Sequence, residues 1–261
     1  PPRRRALLRG HHPRRRHPGG QPLLALLDVG GQDEAASDPL AQLDNPARDY
    51  TVCTIVQLDA RSGLSPDSDP LYRALDIFTD HGSRHFQSAP GQPALAARLL
   101  AYLDHWQVDH LIGDATGVGE GLCGWLAARL GAGRVTPYTF SARAKAALGA
   151  GFITLIETGR FQYWGDDAEE EWSDGWWFWT QAAHCTYELP PGGQFERHLR
   201  WYVPASARVS TPQGRQPVHD DRLISAALVA EAERLIQAGK LNLGQAQSAV
   251  IQAPDPLDLS W

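Results

Sequence analysis

The sequence predicts an α/β fold: a mixed sheet with antiparallel opening strands, flanked by helices. Three observations lead there. Short runs rich in β-forming residues succeed one another early in the chain, a helical period alternates with short apolar strands further on, and turn-forming residues separate the two kinds of segment. Within residues 22–28, Leu23-Leu24-Ala25-Leu26-Leu27 is apolar at every position and ends in Asp28 ahead of Gly30 and Gly31. An apolar run without alternation predicts a strand buried on both faces. Residues 49–58, with Tyr50, Thr51, Val52, Thr54, Ile55 and Val56, predict a second strand, and residues 72–79 a third. Gly63, Pro66 and Pro70 make the segment between them a turn, so the opening reads as an antiparallel meander.

From residue 93 the period changes. Leu95, Leu99 and Leu103 recur at helical spacing behind Pro93, predicting a helix over 93–106. A short strand over 110–114, a helix over 119–130, a strand over 135–140 and a helix over 142–158, weakened by Gly149 and Gly151, follow. This alternation predicts parallel strands joined by crossover helices. Residues 166–185 open with acids and then crowd Trp172, Trp176, Trp177, Phe178 and Trp179. Such a cluster either stacks nucleic acid bases or, the reading favoured here, forms a core or partner-facing helix. Residues 199–203 and 207–210 are expected to pair as a hairpin, and a last helix to run from about 220 to 238.

The chain divides into a basic tail (1–22), expected to be disordered, one folded domain (23–240) and a C-terminal tail (241–261). Seven arginines and three histidines sit among prolines and glycines in the first 22 residues, with no apolar stretch. That tail either touches phosphates or is a linker or misassigned gene start. The net charge is -6, so without those seven arginines the body stands near -13. A body so acidic is a poor general DNA binder at physiological salt. If it cuts DNA, other parts of a larger assembly are expected to hold the substrate. Cys53, Cys123 and Cys185 are far apart, which disfavours a thiolate zinc site or disulfide framework and fits a reducing cytoplasm. No apolar run is long enough for a membrane helix. The absence of methionine, even at position 1, suggests a fragment of a longer reading frame.

Three acidic positions stand where such a fold would converge them. Asp28 ends the first strand, Asp114 ends a central strand, and Asp220 and Asp221 open the last helix. The carboxyl ends of neighbouring parallel strands share an edge where α/β proteins build sites. Hard carboxylate oxygens gathered there suit Mg²⁺ or Mn²⁺. Two such ions about 3.5–4 Å apart would activate a water and stabilise the leaving oxygen of a phosphodiester. Each acid also has a plainer reading. Asp28 could begin a turn, Asp114 cap the next helix, and Asp220 or Asp221 serve as an N-cap.

At these residues the chain resembles a known family, the C-terminal nuclease of phage large terminase subunits. Leu26 to Ala35 with Arg48 to Val52 resembles its opening motif, and Gly113-Asp114-Ala115-Thr116-Gly117-Val118-Gly119 its second acidic motif. Phe140-Ser141, Lys145 and Leu155 to Arg160 resemble its middle segment, and His219 to Leu228 its closing motif. The likeness runs in order from about residue 23 to 235. It implies a ribonuclease H-like fold and a two-metal endonuclease that cuts concatemeric viral DNA during genome packaging. It further implies a phage or prophage protein in the host cytoplasm. Its partners would be double-stranded DNA, a packaging ATPase domain, a small terminase subunit and a portal protein, with no membrane. By the same resemblance Asp28, Asp114 and one or both of Asp220 and Asp221 would ligate two Mg²⁺ or Mn²⁺ ions. His219 is a further ligand or proton carrier, or else an exposed turn histidine. Asp33, Glu34 and Asp49 are secondary candidates or plain loop charges. Lys145 contacts phosphate or is an ordinary exposed lysine.

One feature departs from a complete large subunit. No GxxxxGK[ST] phosphate loop occurs, and Gly117-Val118-Gly119-Glu120-Gly121 lacks its lysine, so ATP hydrolysis is not expected of this chain. Three rival readings remain. A resolvase or transposase of the same fold would share the carboxylates. An actin-like or sugar-kinase ATPase would share loops like Asp28-Val29-Gly30-Gly31 and Asp114-Ala115-Thr116-Gly117, although two such domains would strain this length. A non-catalytic packaging remnant is the third.

Overall fold

The computed structural model describes residues 21–30, 49–59, 69–88, 91–163, 171–188, 198–241 and 243. Residues 1–20 of the expected N-terminal tail, Asp33 and Glu34, and most of the C-terminal tail lie outside the described residues, while the carbonyl of Pro22, a residue expected in the tail, accepts from Leu58 N–H at 2.9 Å. In chain order the elements are β1 (Leu23–Asp28), β2 (Thr51–Asp59), β3 (Leu71–Asp80), α1 (Leu95–Trp106), β4 (His110–Asp114), α2 (Val118–Leu130), a 3-10 turn (Ala132–Arg134) and β5 (Val135–Tyr138). There follow α3 (Ala142–Glu157), β6 (Phe161–Gln162), α4 (Asp174–His184), β7 (Thr186–Glu188), β8 (Arg200–Tyr202), β9 (Arg208–Thr211), β10 (Gly214–Pro217), α5 (Asp221–Ala227) and α6 (Val229–Gln237).

One six-stranded sheet organises these elements, in the order β5-β4-β1-β2-β3-β6. The pairs β1–β2 and β2–β3 are antiparallel, as the opening meander predicts. β4 lies parallel to β1 and β5 parallel to β4, as the crossover helices require. β6 adds a short parallel edge beside β3. The expected mixed α/β sheet flanked by helices is therefore present.

β1 is central and explains its own composition. Leu24 and Leu26 point into a core formed with α3, α4, α5 and α6, while Leu23, Ala25 and Leu27 enter a second core formed with α1 and α2. Both faces are covered, so no position of the strand tolerates a polar side chain until its last. Burying each such leucine stabilises the fold by roughly 1.5–3 kcal/mol. Ser141 caps α3 by accepting from Ala144 N–H at 3.1 Å, and Ser173 caps α4 by accepting from Trp176 N–H at 3.1 Å. No described helix is long and apolar enough to cross a membrane.

Two expectations are corrected. Residues 199–203 and 207–210 do not pair with each other. β8 pairs with β7, Trp201 facing Tyr187, and β9 pairs with β10 across a tight turn closed by Gly214 at φ +106°. The turn thus sits at 212–213 rather than at Pro204. The last helix is also not continuous: Leu228 ends α5 and begins α6, with its N–H shared between the carbonyls of Ile224 and Ser225 at 3.2 Å each.

The aromatic segment divides its residues between roles. Phe178 is buried and stacks on Tyr163 with ring centroids 3.6 Å apart, as a core helix requires. Trp179, by contrast, is 46% exposed.

Gly149 on α3 is a packing requirement. A Cβ there would lie 2.2 Å from Nε1 of Trp201, the atom that donates to the Lys145 carbonyl at 2.6 Å. Gly124 on α2 has nothing within 4 Å of such a Cβ. Gly149→Ala is therefore expected to destabilise the protein by about 1–3 kcal/mol through overpacking. Gly124→Ala is expected to stabilise it by up to about 1 kcal/mol through helix propensity. Urea denaturation of the two variants checks the pair; equal shifts would count against this packing.

Candidate functional site

The sheet itself brings Asp28 and Asp114 together. The parallel register of β1 and β4 runs from Leu24 opposite His110 to Leu27 opposite Gly113, so the next residues on each strand are Asp28 and Asp114. Side chains alternate along a strand. Asp28 therefore shares a face with Leu24 and Leu26, and Asp114 with Ile112, all three on the side covered by α5. Asp114 is buried at 6% exposure; Asp28 is partly buried.

α5 supplies the other carboxylates, and one buried serine fixes its position. Ser225 Oγ donates to the Leu26 carbonyl at 2.7 Å, accepts from Thr54 N–H at 3.2 Å, and lies 2.8 Å from Thr54 Oγ1. Leu26 and Thr54 face each other across β1 and β2. Asp221 lies one helical turn before Ser225, and a turn advances about 5.4 Å, close to the roughly 6.6 Å covered by two residues of strand. The turn that leads back from Ser225 to Asp221 thus matches the step from Leu26 to Asp28. Asp221 arrives buried at 4% exposure, with Oδ2 accepting from Tyr50 N–H at 3.1 Å. Asp220 sits at the mouth, where Lys145 Nζ approaches its Oδ2 at 3.1 Å.

The electrostatics report the crowding. Asp28 is held well above the ordinary carboxylate range, first by burial and then by Asp221, Asp114 and Asp220, with Lys145 opposing only weakly. Asp221 is pushed up to about 7, by burial first and next by Asp49, against the Tyr50 N–H that favours its charge. Asp114 is also raised by burial, although hydrogen bonds from Thr116 and Val29 favour its ionised form. Thr116 N–H donates to Asp114 Oδ1 at 2.8 Å. Asp49 moves the other way, lowered chiefly by its hydrogen bond with His219, whose Nδ1 is 3.2 Å away.

Gly119 lets this edge close. A Cβ there would fall 2.3 Å from the Asp114 carbonyl oxygen, so only glycine allows the first turn of α2 to lie against the end of β4. Cys123 on the same helix donates to that oxygen at 3.1 Å.

Asp28, Asp114, Asp220, Asp221 and Lys145 are thus neighbours, and His219 stands beside them turned to Asp49. Glu34 lies outside the described residues. The donors are hard carboxylate oxygens, the chemistry that suits Mg²⁺ or Mn²⁺. Their mutual repulsion is what a divalent cation would relieve. Among the described residues, however, no group of three or more acidic, histidine or cysteine side chains is arranged so that it could hold a metal ion. The sequence gives no role to Ser225 or Tyr50, whereas Gly119 falls in the run read as a tight strand-to-helix turn. Ser225 lay within the closing motif, yet a serine inside a helix carries no signal of the strand it will grip.

No protein-family model matches the chain, and a search of curated proteins finds none similar to it. The family likeness therefore stands on the ordered motifs alone.

Asp28→Asn tests the charge crowding. A carboxyl whose folded pKa is raised binds its proton more tightly in the folded state than in the unfolded one. Its ionisation therefore costs stability progressively as pH rises above the unfolded value, roughly 4. Asparagine removes that cost. In EDTA, Asp28→Asn is expected to be more thermostable than the parent, by a margin that grows from about pH 4 toward neutrality. A margin that is flat across pH, or negative, would contradict the crowding.

Proposed function

We propose that this chain is a divalent-metal-dependent DNA endonuclease of ribonuclease H-like fold, acting as the nuclease of a phage large terminase subunit. The observation that carries the reading is the pairing of Asp28 with Asp114 on one face at the ends of parallel strands, with Asp221 brought over them by α5. The mixed sheet with its antiparallel opening is compatible with that fold. The ordered motif series supplies the family, and cutting concatemeric DNA during packaging follows from it.

In this reading Asp28, Asp114 and Asp221, with Asp220 at the mouth, would hold Mg²⁺ or Mn²⁺. Such ions supply a deprotonated water at neutral pH and neutralise charge on the leaving oxygen. The chain's own groups do the rest. Tyr50 N–H and Thr116 N–H each occupy one oxygen of Asp221 and Asp114, which fixes the orientation of both carboxylates. Lys145 places a cation at the open side, where a phosphate would approach past Asp220. His219, oriented by Asp49, is placed to carry a proton away from the reaction. The acidic body leaves DNA capture to the packaging ATPase domain, small subunit and portal protein that the family likeness implies.

Supercoiled plasmid incubated with Mn²⁺ tests the proposal. The protein is expected to nick or linearise it. Asp114→Ala should lower the rate by roughly a hundredfold or more, the scale on which losing one electrostatic element of a catalytic site acts. Circular dichroism would establish that the variant is folded. Equal cleavage by the two proteins rejects the assigned site, and no cleavage by either rejects the activity.

A further inference from the structure

A pocket of about 410 Å³ opens next to the carboxylates, and the cluster does not use it. Its wall includes Tyr50, whose backbone orients Asp221, and the residues His219 and Arg222 that flank the aspartate pair. From these features we infer that the pocket receives the base of an unpaired nucleotide in the DNA strand being cut. The inference rests on the DNA-cleaving reading above.

The lining has the chemistry of a base site. Trp172 and Trp177 contribute two indoles to the wall, next to Tyr50, whose ring is stacked on His81 with centroids 4.5 Å apart. Flat aromatic surfaces take bases of any identity, because every base offers a π-face. The pocket volume falls in the small-ligand range.

One polar group lacks a partner. Gln181 is fully buried at 0% exposure and lines the pocket. Its Oε1 accepts from Leu223 N–H at 3.1 Å, and since that N–H can only donate, the orientation of the amide is fixed. Its Nε2 is then left buried with no hydrogen-bond partner. A buried donor without an acceptor carries a desolvation penalty, which a base carbonyl or ring nitrogen would relieve. The hairpin of β9 and β10 contributes Gln213 and Gln216, two more neutral amides.

Charge separates a base from a phosphate here. Arg222 has its guanidinium bound to Asp174 Oδ1, through Nε at 2.9 Å and Nη2 at 2.6 Å, and its face lies 4.9 Å from the Tyr50 ring centre. Its charge is therefore already matched, and a second anion would gain little from it. A neutral planar group suits the pocket better. The nucleotide that carries this base would have its phosphate directed toward Asp220, Asp221 and Lys145.

The test is equilibrium binding in EDTA at low ionic strength, where nothing is cut. Fluorescence anisotropy compares a labelled duplex bearing a one-nucleotide adenine bulge with the same duplex bearing an abasic bulge. The parent protein is expected to bind the adenine bulge at least about fivefold more tightly, as stacking on an aromatic wall requires. Trp177→Ala and Gln181→Met should each bring that ratio close to one while leaving affinity for the abasic bulge unchanged. The comparison within the parent protein stands even if a variant fails to fold. Equal affinity for the two duplexes, or binding to neither, overturns the inference. Competition by free deoxyadenosine monophosphate as strong as by the bulged duplex also overturns it, because the site would then recognise a nucleotide apart from a strand. Plasmid cleavage is a separate readout: base preference without Asp114-dependent cleavage would sink the nuclease reading and leave a base pocket with no cut strand, and cleavage without base preference would sink this inference alone.

Discussion

The grip of Ser225 on the centre of the sheet is the constraint on which the site depends. A hydroxyl buried among apolar side chains must satisfy its hydrogen-bonding capacity, and here it does so against the Leu26 carbonyl and the N–H and hydroxyl of Thr54. A helix held at that point cannot slide along the sheet without leaving buried polar groups unpaired. The position of Asp221 is then a matter of helical and strand rise rather than of any contact the carboxylates make with one another. That matters because the carboxylates repel. Left to their own interactions they would separate, and only a scaffold that fixes each from behind can keep them together. Asp28 and Asp114 are held by strand register, Asp221 by Ser225 and Tyr50, and Asp220 by its place next to Asp221 and by Lys145.

Such an arrangement weakens the fold locally and must be offset elsewhere. Apolar burial on both faces of the sheet supplies that stability. In the second core, Leu27, Leu95, Leu99, Leu103, Leu111, Leu122 and Leu126 are fully buried, with no acid among them. The alternation of β1 thus separates two duties within six residues. Odd positions fill the core under α1 and α2, and even positions lead from Leu24 and Leu26 to Asp28. Along β1 the charged side chain is thus confined to one face, at the strand's end, while the other face carries only apolar residues.

Much of this was legible in the sequence, for identifiable reasons. A run such as Leu23 to Leu27 admits only a central strand, and the change of period after residue 93 separates the antiparallel opening from the crossover region. The acids at strand ends stood out because each follows an uninterrupted apolar stretch. What stayed hidden depends on contacts distant in the chain. Leu199, Trp201 and Val203 look like one arm of a hairpin, but the partner of β8 is β7, which precedes a stretch of turn-forming residues around Pro190, Pro191 and Gly192. The break at Leu228 has no composition signal, since Ala226, Ala227, Leu228 and Val229 are all compatible with a continuous helix. Gln181 carries no signal in the sequence, and only the packing of α4 against α5 buries it. Trp172, Trp177 and Phe178 form one aromatic run in sequence, yet Phe178 belongs to the core and the two indoles to the pocket wall.

On the proposed reading, the two neighbouring sites account for how an acidic body would act on a polyanion. Carboxylates alone would repel DNA at every approach, and Lys145 is a single cation at the mouth. In that reading, a pocket whose attraction is stacking and hydrogen bonding, with its arginine already matched by Asp174, would contribute affinity that does not depend on phosphate charge. Contacts of that kind persist at salt concentrations that screen a basic patch. Placed beside carboxylates that admit phosphate only once cations neutralise them, such a pocket would register the strand before the charged part of the site engages it. Affinity from the base and admission of the phosphate would then be separate events, governed by different residues on α4 and α5.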